Sequence, residues 1–387
     1  MTVVKWICLC FVFGIPIIFI VQKGFRPIFP GTLDGYFEPN PSPVFDFNGL
    51  SEGTYQSQMM RHLDRSIGFH NQMVRLHNQL DFSLFRLPNA RKVVVGEDDY
   101  LYEDQYIKAW SGKDFIGKNK IEARVQQLRD VQDLLWKEKK IFFLVILLPD
   151  KGTFYSEHIP SRFRNDPRGL TNYQWYRKSL EKQKVNVIDL NSWFLAMKDT
   201  IRYCLYPKTG IHWSNYGACL AMDSLVKYLE IKTGRSLPEM KITIPGTINE
   251  TRGREDDMAK GMNLICPVHA LPMAQPKVEY INQNNEQPFS ALFLGDSFYF
   301  IWAEAGYIGN VFSNRDFWYY DHDVYYGTFK TGKLASDQDL GKSVFKNNAI
   351  ILVQTNAGYG CLGYGFVDQL LEAFYQTDHQ QKVKKIR

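Results

Sequence analysis

Two short segments carry residue types that suit nucleophilic catalysis, and the first is LFLGDSF at residues 292–298. The apolar run from Ala291 to Leu294 is typical of a buried strand, and Gly295 permits the tight turn that ends it. This turn delivers Asp296 and Ser297 to the edge of a sheet, where the serine hydroxyl could attack a carbonyl carbon. A helix that begins after Ser297 would direct backbone N–H groups at the resulting oxyanion. Alternatively, Asp296 or Ser297 only caps that helix.

The second segment is KTGIHWSNYGA at residues 208–218, which contains His212. Ser214 is a good N-cap residue, and apolar residues follow it at helical spacing. These apolar residues are Ala218, Met222, Leu225 and Leu229. His212 therefore lies on a loop just ahead of a helix, where an imidazole could act as the general base for a serine. A lone histidine is also a common structural residue, so both interpretations stay open.

A third segment, QTNAGYGCLGYGF at residues 354–366, follows the last predicted strand. It brings Gln354, Asn356 and Tyr359 near the same sheet edge. Together with Asp296, these residues are candidates for stabilising an oxyanion or lining a sugar pocket. Alternatively, the Asn and Gly residues only shape the turn.

These segments must be positioned by a sheet, and the chain contains short apolar runs that predict one. The predicted strands are KVVVG at 92–96, IFFLVILL at 141–148, VNVIDL at 185–190, ALFLG at 291–295 and AIILVQ at 349–354. Helical patterns separate several of them, notably at residues 121–140. Continuous apolar strands separated by helices predict an α/β domain with a mostly parallel sheet and helices on both faces. Function in such sheets gathers at the carboxyl ends of the strands.

The N-terminus differs from the rest of this ordinary globular composition. Residues 6–21, WICLCFVFGIPIIFIV, carry no charge and are flanked by Lys5 and Lys23. A bilayer requires about 17–25 apolar residues, so the run predicts one short N-terminal membrane helix, an uncleaved anchor or signal-anchor. The formal charge of +5 is dispersed, which argues against a nucleic-acid surface.

The pattern divides the chain into five parts. They are a membrane anchor over 1–26, a stalk over 27–50, a helical lead-in over 51–91, the α/β domain over 92–376 and a basic tail over 377–387. Cys204 and Cys219 flank the His212 segment, and the sequence leaves open whether they form a disulfide or remain free thiols.

The order of several segments resembles the SGNH-hydrolase-like domain of the periplasmic alginate O-acetyltransferase accessory proteins and related exopolysaccharide acetylation proteins. These segments are VVVGEDDYLYEDQYI, LLPDKGTFYSEHIP, VNVIDL, the His-Trp stretch and the late Gly-Asp-Ser. The resemblance covers residues 92–376 and implies an SGNH-hydrolase-like fold. Lys151 matches the family's Pro-Asp-Lys segment, and we expect it to form a structural ion pair.

The resemblance also implies a triad in which Ser297 is the nucleophile and His212 the base. The acid position of the family's Asp-x-His motif is Gly210 here. Substitutes for the acid are Asp321 or Asp323 in YYDHDVYY, although this segment is also typical of an ordinary polar loop. Metal binding by Asp321, His322 and Asp323 is a weaker hypothesis, and the resemblance requires neither a metal nor a cofactor.

By resemblance, the chain is expected to O-acetylate a cell-surface polysaccharide through an acetyl-serine intermediate. It would lie outside the cytoplasm, on the periplasmic side or at the cell surface, and receive acetyl groups from a membrane-bound O-acyltransferase partner. One alternative is a carbohydrate acetylesterase. A second is a catalytically degenerate polysaccharide-binding or scaffold subunit, since Gly210 replaces the acid. A third is an unrelated α/β protein, in which His212 and Ser297 would lie far apart.

Overall fold

The computed structural model describes residues 2–14, 17–18, 21–22, 32–35, 40–66, 68–281 and 288–386. The chain divides into two compact units. The first comprises Met1–Arg91 and Met258–Val268, and the second comprises Lys92–Asp257 and His269–Arg387. The sequence predicted a domain over 92–376, and within this range the segment Met258–Val268 groups with the N-terminal residues.

The first unit is helical. Its helices are α1 (Thr2–Leu9), α2 (Phe47–Glu52), α3 (Thr54–Ser66) and α4 (His70–Phe85), with a π-helical turn at Cys10–Gly14. Asp46 caps α2 by accepting hydrogen bonds from the backbone N–H groups of Asn48 and Gly49. The buried Asn78 side chain donates to Met262 O at 2.8 Å, which ties the internal segment to α4.

The predicted membrane anchor over residues 6–21 includes positions 15–16 and 19–20, which lie outside the described residues. Within the described ranges, no helix has both the length and the apolarity needed to cross a bilayer.

The second unit contains all thirteen strands of the described residues. They are β1 (Val93–Val95), β2 (Leu101–Glu103), β3 (Phe142–Leu148), β4 (Val187–Asp189), β5 (Glu239–Thr243), β6 (Thr247–Ile248), β7 (Met273–Ala274), β8 (Lys277–Ile281), β9 (Ala291–Gly295), β10 (Asp316–Tyr319), β11 (Asp323–Tyr326), β12 (Phe329–Leu334) and β13 (Ala349–Thr355).

Helices connect these strands. One of them, α12 (Asp257–Gly261), has only its first residue, Asp257, in the second unit. The helices are α5 (Asp104–Ser111), α6 (Lys118–Leu134), α7 (Lys151–Phe154), α8 (Ser161–Arg164), α9 (Asn172–Gln183), α10 (Leu190–Met197), α11 (Asn215–Thr233), α12 (Asp257–Gly261), α13 (Tyr299–Glu304), α14 (Tyr307–Val311), α15 (Leu340–Ser343) and α16 (Phe366–Ile386). A π-helical turn at Leu135–Lys139 extends α6. The last helix, α16, continues past residue 376, where the sequence predicted the end of the domain.

The main sheet has seven strands in the order β12-β11-β10-β9-β13-β3-β4. The five strands from β10 to β4 are parallel, and β11 and β12 extend the sheet in antiparallel orientation. This confirms the predicted α/β class and the mostly parallel sheet. The predicted first strand is an exception, because Val93–Val95 pairs only with β2 in a separate hairpin.

Alternate residues of the parallel strands supply two apolar cores, as expected for a sheet covered on both faces. On β3, Leu144 and Ile146 belong to one core, while Phe143 and Val145 belong to the other. The first core includes buried residues of α11, and the second includes buried residues of α6 and α16. The sheet edge that carries Ser297 is therefore supported from both sides.

Candidate active site

Ser297 lies in the turn that follows β9, a central strand of the sheet. A Cβ atom on Gly295 would lie 1.9 Å from Val353 O on the neighbouring strand, so only glycine fits at this position. Two residues after Ser297 the chain enters α13. The local sequence therefore forms the turn that LFLGDSF predicted.

The Asp296 side chain holds this turn in place. Its Oδ1 accepts a hydrogen bond from Phe298 N at 3.1 Å, and its Oδ2 accepts from Thr355 N and Thr355 Oγ1, both at 2.8 Å. The side chain is buried, and burial raises the pKa of its carboxyl group. The structure thus gives Asp296, a candidate for substrate contact, hydrogen bonds that fix the turn to β13, and the N-cap of α13 is Phe298, without a side-chain hydrogen bond.

His212 is positioned by its two neighbours on the loop before α11. Ser214 caps α11 by accepting from Gly217 N at 3.0 Å, as its sequence position predicted. Trp213 is fully buried, and its ring packs 5.5 Å from Phe298 and 5.0 Å from Trp302. This packing joins the His212 loop to the segment that follows Ser297.

Ser297, His212 and Asp257 form a continuous chain of hydrogen bonds. His212 Nε2 lies 2.8 Å from Ser297 Oγ, and His212 Nδ1 lies 2.8 Å from Asp257 Oδ2. The histidine side chain is only 4% exposed. This is the geometry of a nucleophile, a base and an acid that orients the base. The expectation of an unrelated protein with distant His212 and Ser297 is thereby wrong.

Asp257 is held as a carboxylate by its surroundings. Burial alone would raise its pKa, but the hydrogen bond and charge of His212, the backbone N–H of Ile211 and the charge of Lys151 together lower the pKa below its ordinary value. Ile211 N donates to Asp257 Oδ1 at 2.9 Å. An ionised acid can stabilise the imidazolium that forms when His212 takes a proton.

Gly210 makes room for the backbone that delivers this acid. A Cβ atom at residue 210 would lie 2.6 Å from Glu255 O and 2.7 Å from Arg254 O. The hydroxyl of Thr209 also donates to Glu255 O at 3.0 Å. The segment 252–257 therefore occupies the space that a side chain at 210 would need, and it supplies the carboxylate from Asp257 instead.

The predicted substitute acids lie elsewhere. Asp323 is on β11, where it pairs with Lys330 at 2.7 Å and with His322 at 3.2 Å. Asp321 lies in the turn before β11, where burial raises its pKa to about 6. Because Asp257 already occupies Nδ1 of His212, the prediction of Asp321 or Asp323 as the acid is wrong.

The buried Lys151 forms hydrogen bonds with the loop that carries His212. Its ammonium group donates to the backbone oxygens of Pro207, Lys208 and Gly210. The expected ion pair is replaced by these three carbonyl contacts, although the Asp257 charge also acts on the lysine. Burial lowers the pKa of Lys151 to about 7.

This buried amine predicts a pH-dependent stability. Between its folded pKa of about 7 and its ordinary value of 10.5, the unfolded chain binds more protons, so the contribution of Lys151 to the free energy of unfolding should rise with pH. Urea unfolding of the full chain and of Lys151→Met at pH 7 and pH 10 measures this. The free energy of unfolding of the wild type minus that of Lys151→Met should be larger at pH 10 than at pH 7. A difference that is equal at both pH values would contradict the prediction. Substitution of the exposed Lys182 by Met is the control.

The segment after β13 is used mainly for structure. The side chain of Gln354 donates to Gly358 O at 2.7 Å and accepts from Gly363 N at 3.2 Å. Tyr359 is buried in the core and its hydroxyl donates to Leu148 O at 3.2 Å. Asn356 accepts from Asn191 at 2.7 Å and donates to Thr153 Oγ1 at 2.7 Å. Among the described residues, none of these three forms a hydrogen bond with the side chain of Ser297 or His212.

The structure also places residues near the site that the sequence did not identify. Glu103, at the end of β2, interacts electrostatically with His212, and burial raises the pKa of its carboxyl group. Leu101 N donates to Lys208 O at 3.1 Å, so the β1–β2 hairpin braces the His212 loop. Tyr320 N donates to Gly295 O at 2.9 Å, and the Tyr320 side chain is half exposed beside the serine turn.

The cysteines that flank His212 are free. Cys204 is half-buried and Cys219 is buried, and burial raises the pKa of both thiols. The structure thus supports the alternative in which these residues remain thiols.

Residues 93–316 match the family model described as the SGNH hydrolase-like domain of the acetyltransferase AlgX. No curated protein sequence is significantly similar to the chain. Among solved structures, the chain is similar to the O-acetyltransferase domain of Pseudomonas putida AlgJ, with 14% identity and a TM-score of 0.49 over 73% of this chain and 99% of that chain. It is similar to Pseudomonas aeruginosa AlgX with 14% identity and a TM-score of 0.44, over 71% of this chain and 67% of that chain. It is similar to Bacillus cereus PatB1 with 16% identity and a TM-score of 0.42, over 69% of this chain and 96% of that chain.

Proposed function

Because this chain belongs to the family of SGNH hydrolase-like domains of the acetyltransferase AlgX, we propose that it transfers acetyl groups to hydroxyl groups of a polysaccharide. The observation that carries the proposal is the hydrogen-bonded chain Ser297–His212–Asp257. The alternative of a catalytically degenerate scaffold depended on the missing acid at Gly210. In the structure Asp257 supplies a carboxylate to Nδ1 of His212.

In the first half-reaction, Ser297 Oγ attacks the carbonyl carbon of an acetyl donor while His212 Nε2 takes the hydroxyl proton. The imidazolium, stabilised by Asp257, then gives that proton to the leaving group as the bond from the acetyl carbon to the donor breaks. The product is acetyl-Ser297.

In the second half-reaction, a sugar hydroxyl attacks the acetyl carbon of acetyl-Ser297. His212 takes the proton of that hydroxyl and returns it to Ser297 Oγ as the ester bond to the serine breaks. Water in place of the sugar would give an esterase.

We further propose that the domain lies outside the cytoplasm, tethered by the uncharged segment at residues 6–21. Its acetyl groups would come from a membrane-bound O-acyltransferase partner. The support is the apolar run flanked by Lys5 and Lys23, together with the need for an acetyl donor on the far side of a membrane.

The acetyl-serine intermediate predicts a covalent adduct. When the full chain is exposed to 4-nitrophenyl acetate, intact-protein and peptide mass spectrometry should find one acetyl group on Ser297. The adduct should be absent in Ser297→Ala and persist when the exposed Ser336 is replaced by Ala. An adduct that survives Ser297→Ala unchanged, or a wild-type chain that never carries acetyl on Ser297, would refute the intermediate. Faster loss of the adduct with cellotetraose than in buffer would favour transfer over hydrolysis.

A further inference from the structure

A polar cavity of about 440 Å³ lies in the second unit. Ser297, His212 and Asp257 do not line it, so it is separate from the reacting groups. Its volume falls within the range of small-molecule binding sites.

The cavity is bounded by the three segments that carry the catalytic residues. Asn215 lines it three residues after His212, Glu255 lines it two residues before Asp257, and Ile301 lines it four residues after Ser297. Glu255 Oε1 also accepts from Asn215 N at 3.2 Å, and Glu255 Oε2 accepts from Arg252 N at 3.1 Å. A molecule in the cavity would therefore contact the same loop that delivers Asp257.

The charges around the cavity are largely matched. Arg254 Nε pairs with Glu304 Oε1 at 2.8 Å, and Arg252 interacts electrostatically with Glu255. Two arginines thus face two glutamates, and no single sign of charge is left in excess among these lining residues. This balance favours an uncharged polar ligand over a free anion or cation.

Two lining residues, Gln275 and Tyr280, have a buried hydrogen-bonding group without a partner among the described residues. The Nε2 of Gln275 is buried and has no hydrogen-bond partner among the described residues. A buried donor without an acceptor is costly, so such groups in native proteins call for a bound water or ligand. Asn310 and Tyr280 lie in the same wall, and Glu304 adds carboxylate oxygens. The cavity therefore offers both donors and acceptors, as a molecule rich in hydroxyl groups requires.

We propose that this cavity is a saccharide subsite that binds an uncharged sugar residue of the polysaccharide. The choice of a sugar rests on the proposed function, because a polysaccharide acceptor would bring such residues to the protein. A sugar bound here accepts a hydrogen bond from Gln275 and steadies the loop 252–257. The subsite holds the acceptor chain at a distance from the residue that is acetylated.

The test is binding of cellobiose, chitobiose, maltose and digalacturonate to the full chain carrying Ser297→Ala, measured by saturation-transfer difference NMR and titration calorimetry. At least one of the three uncharged disaccharides should bind. Gln275→Leu should weaken that binding by about tenfold, and Ala305→Trp, which fills the cavity, should abolish it. Gln126→Leu, on an exposed part of α6, is the matched control and should bind as the parent does.

Several results would overturn the subsite. They are no binding of any uncharged disaccharide, a preference for digalacturonate, or unchanged affinity in both Gln275→Leu and Ala305→Trp. Acetylation of Ser297 by 4-nitrophenyl acetate, measured in the same substitutions made on the wild-type chain, reports separately on the catalytic site. If Ser297 is never acetylated while the disaccharide still depends on Gln275, the proposed function fails and the binding site stands.

Discussion

Asp257→Asn is expected to lower kcat for acetylation of Ser297 by about 10⁴-fold, the size of the effect that the equivalent change has in a serine protease. The amide has nearly the shape of the carboxylate, but it cannot stabilise the imidazolium form of His212. It can also present its NH₂ group to Nδ1, which would favour the wrong tautomer of the ring. Release of nitrophenol from 4-nitrophenyl acetate, followed under single-turnover conditions, measures the rate.

Asp323→Asn is the matched control for this substitution. With Asp321, Asp323 is one of the two substitute acids that the sequence offered, and in the structure it pairs with Lys330 on a different strand. We expect its rate to stay within a few-fold of wild type. A large loss in Asp323→Asn with little change in Asp257→Asn would reverse the assignment of the acid.

The parallel sheet was predictable from the sequence because its central strands are buried on both faces. The apolar runs that form β3, β9 and β13 are buried at every residue and needed no alternation with polar residues to be recognised. The fourth predicted strand, β4, lies at the edge of the sheet and is only partly buried. The hairpin strand at Val93–Val95 was assigned to the same sheet in error, since a short apolar run does not reveal its partner. The strand β10 (Asp316–Tyr319) was not among the predicted strands.

Ser297 and His212 could be identified because each lies in a local pattern that a strand end or a helix start explains. Asp257 could not, because its position depends on contacts made by residues 45 positions away from His212. Its local sequence, REDD at 254–257, is indistinguishable from a charged surface loop. The one available signal was Gly210 itself. A glycine where the family has a side chain indicates that another part of the backbone comes close.

The polar residues after β13 show the same limit of local sequence patterns. Gln354, Asn356 and Tyr359 do lie at the carboxyl end of a central strand, as the sequence predicted. Gln354 forms a hydrogen bond within its own loop, and Asn356 forms hydrogen bonds with Thr153 and Asn191. The hydroxyl of Tyr359 donates to Leu148 O. Position along a strand predicts which edge a residue reaches, whereas its partners depend on the packing of distant loops.

Gly210→Asp, which would recreate the family's Asp-x-His motif, is expected to damage the site. Its Cβ alone would lie 2.6 Å from Glu255 O and 2.7 Å from Glu255 C, so the backbone that carries Asp257 must move. A displacement of about 1 Å at a catalytic group can cost about 10²-fold in rate, and we expect a loss of that size. Overpacking should also lower the free energy of unfolding by about 1–3 kcal/mol. Single-turnover acetylation and urea unfolding measure the two effects.

Two further variants show whether position 210 can ever supply the acid. Gly246→Asp places the same side chain where no atom lies within 4 Å of the new Cβ, and it should leave both rate and stability near wild type. The double variant Gly210→Asp/Asp257→Asn removes the carboxylate of Asp257 and places an aspartate at residue 210, the acid position of the family's Asp-x-His motif. Because segment 252–257 still fills the space beside residue 210, the double variant should be no faster than Asp257→Asn. Recovery of activity in the double variant would mean that the two positions are interchangeable, and that the close approach at Gly210 does not determine which residue holds His212.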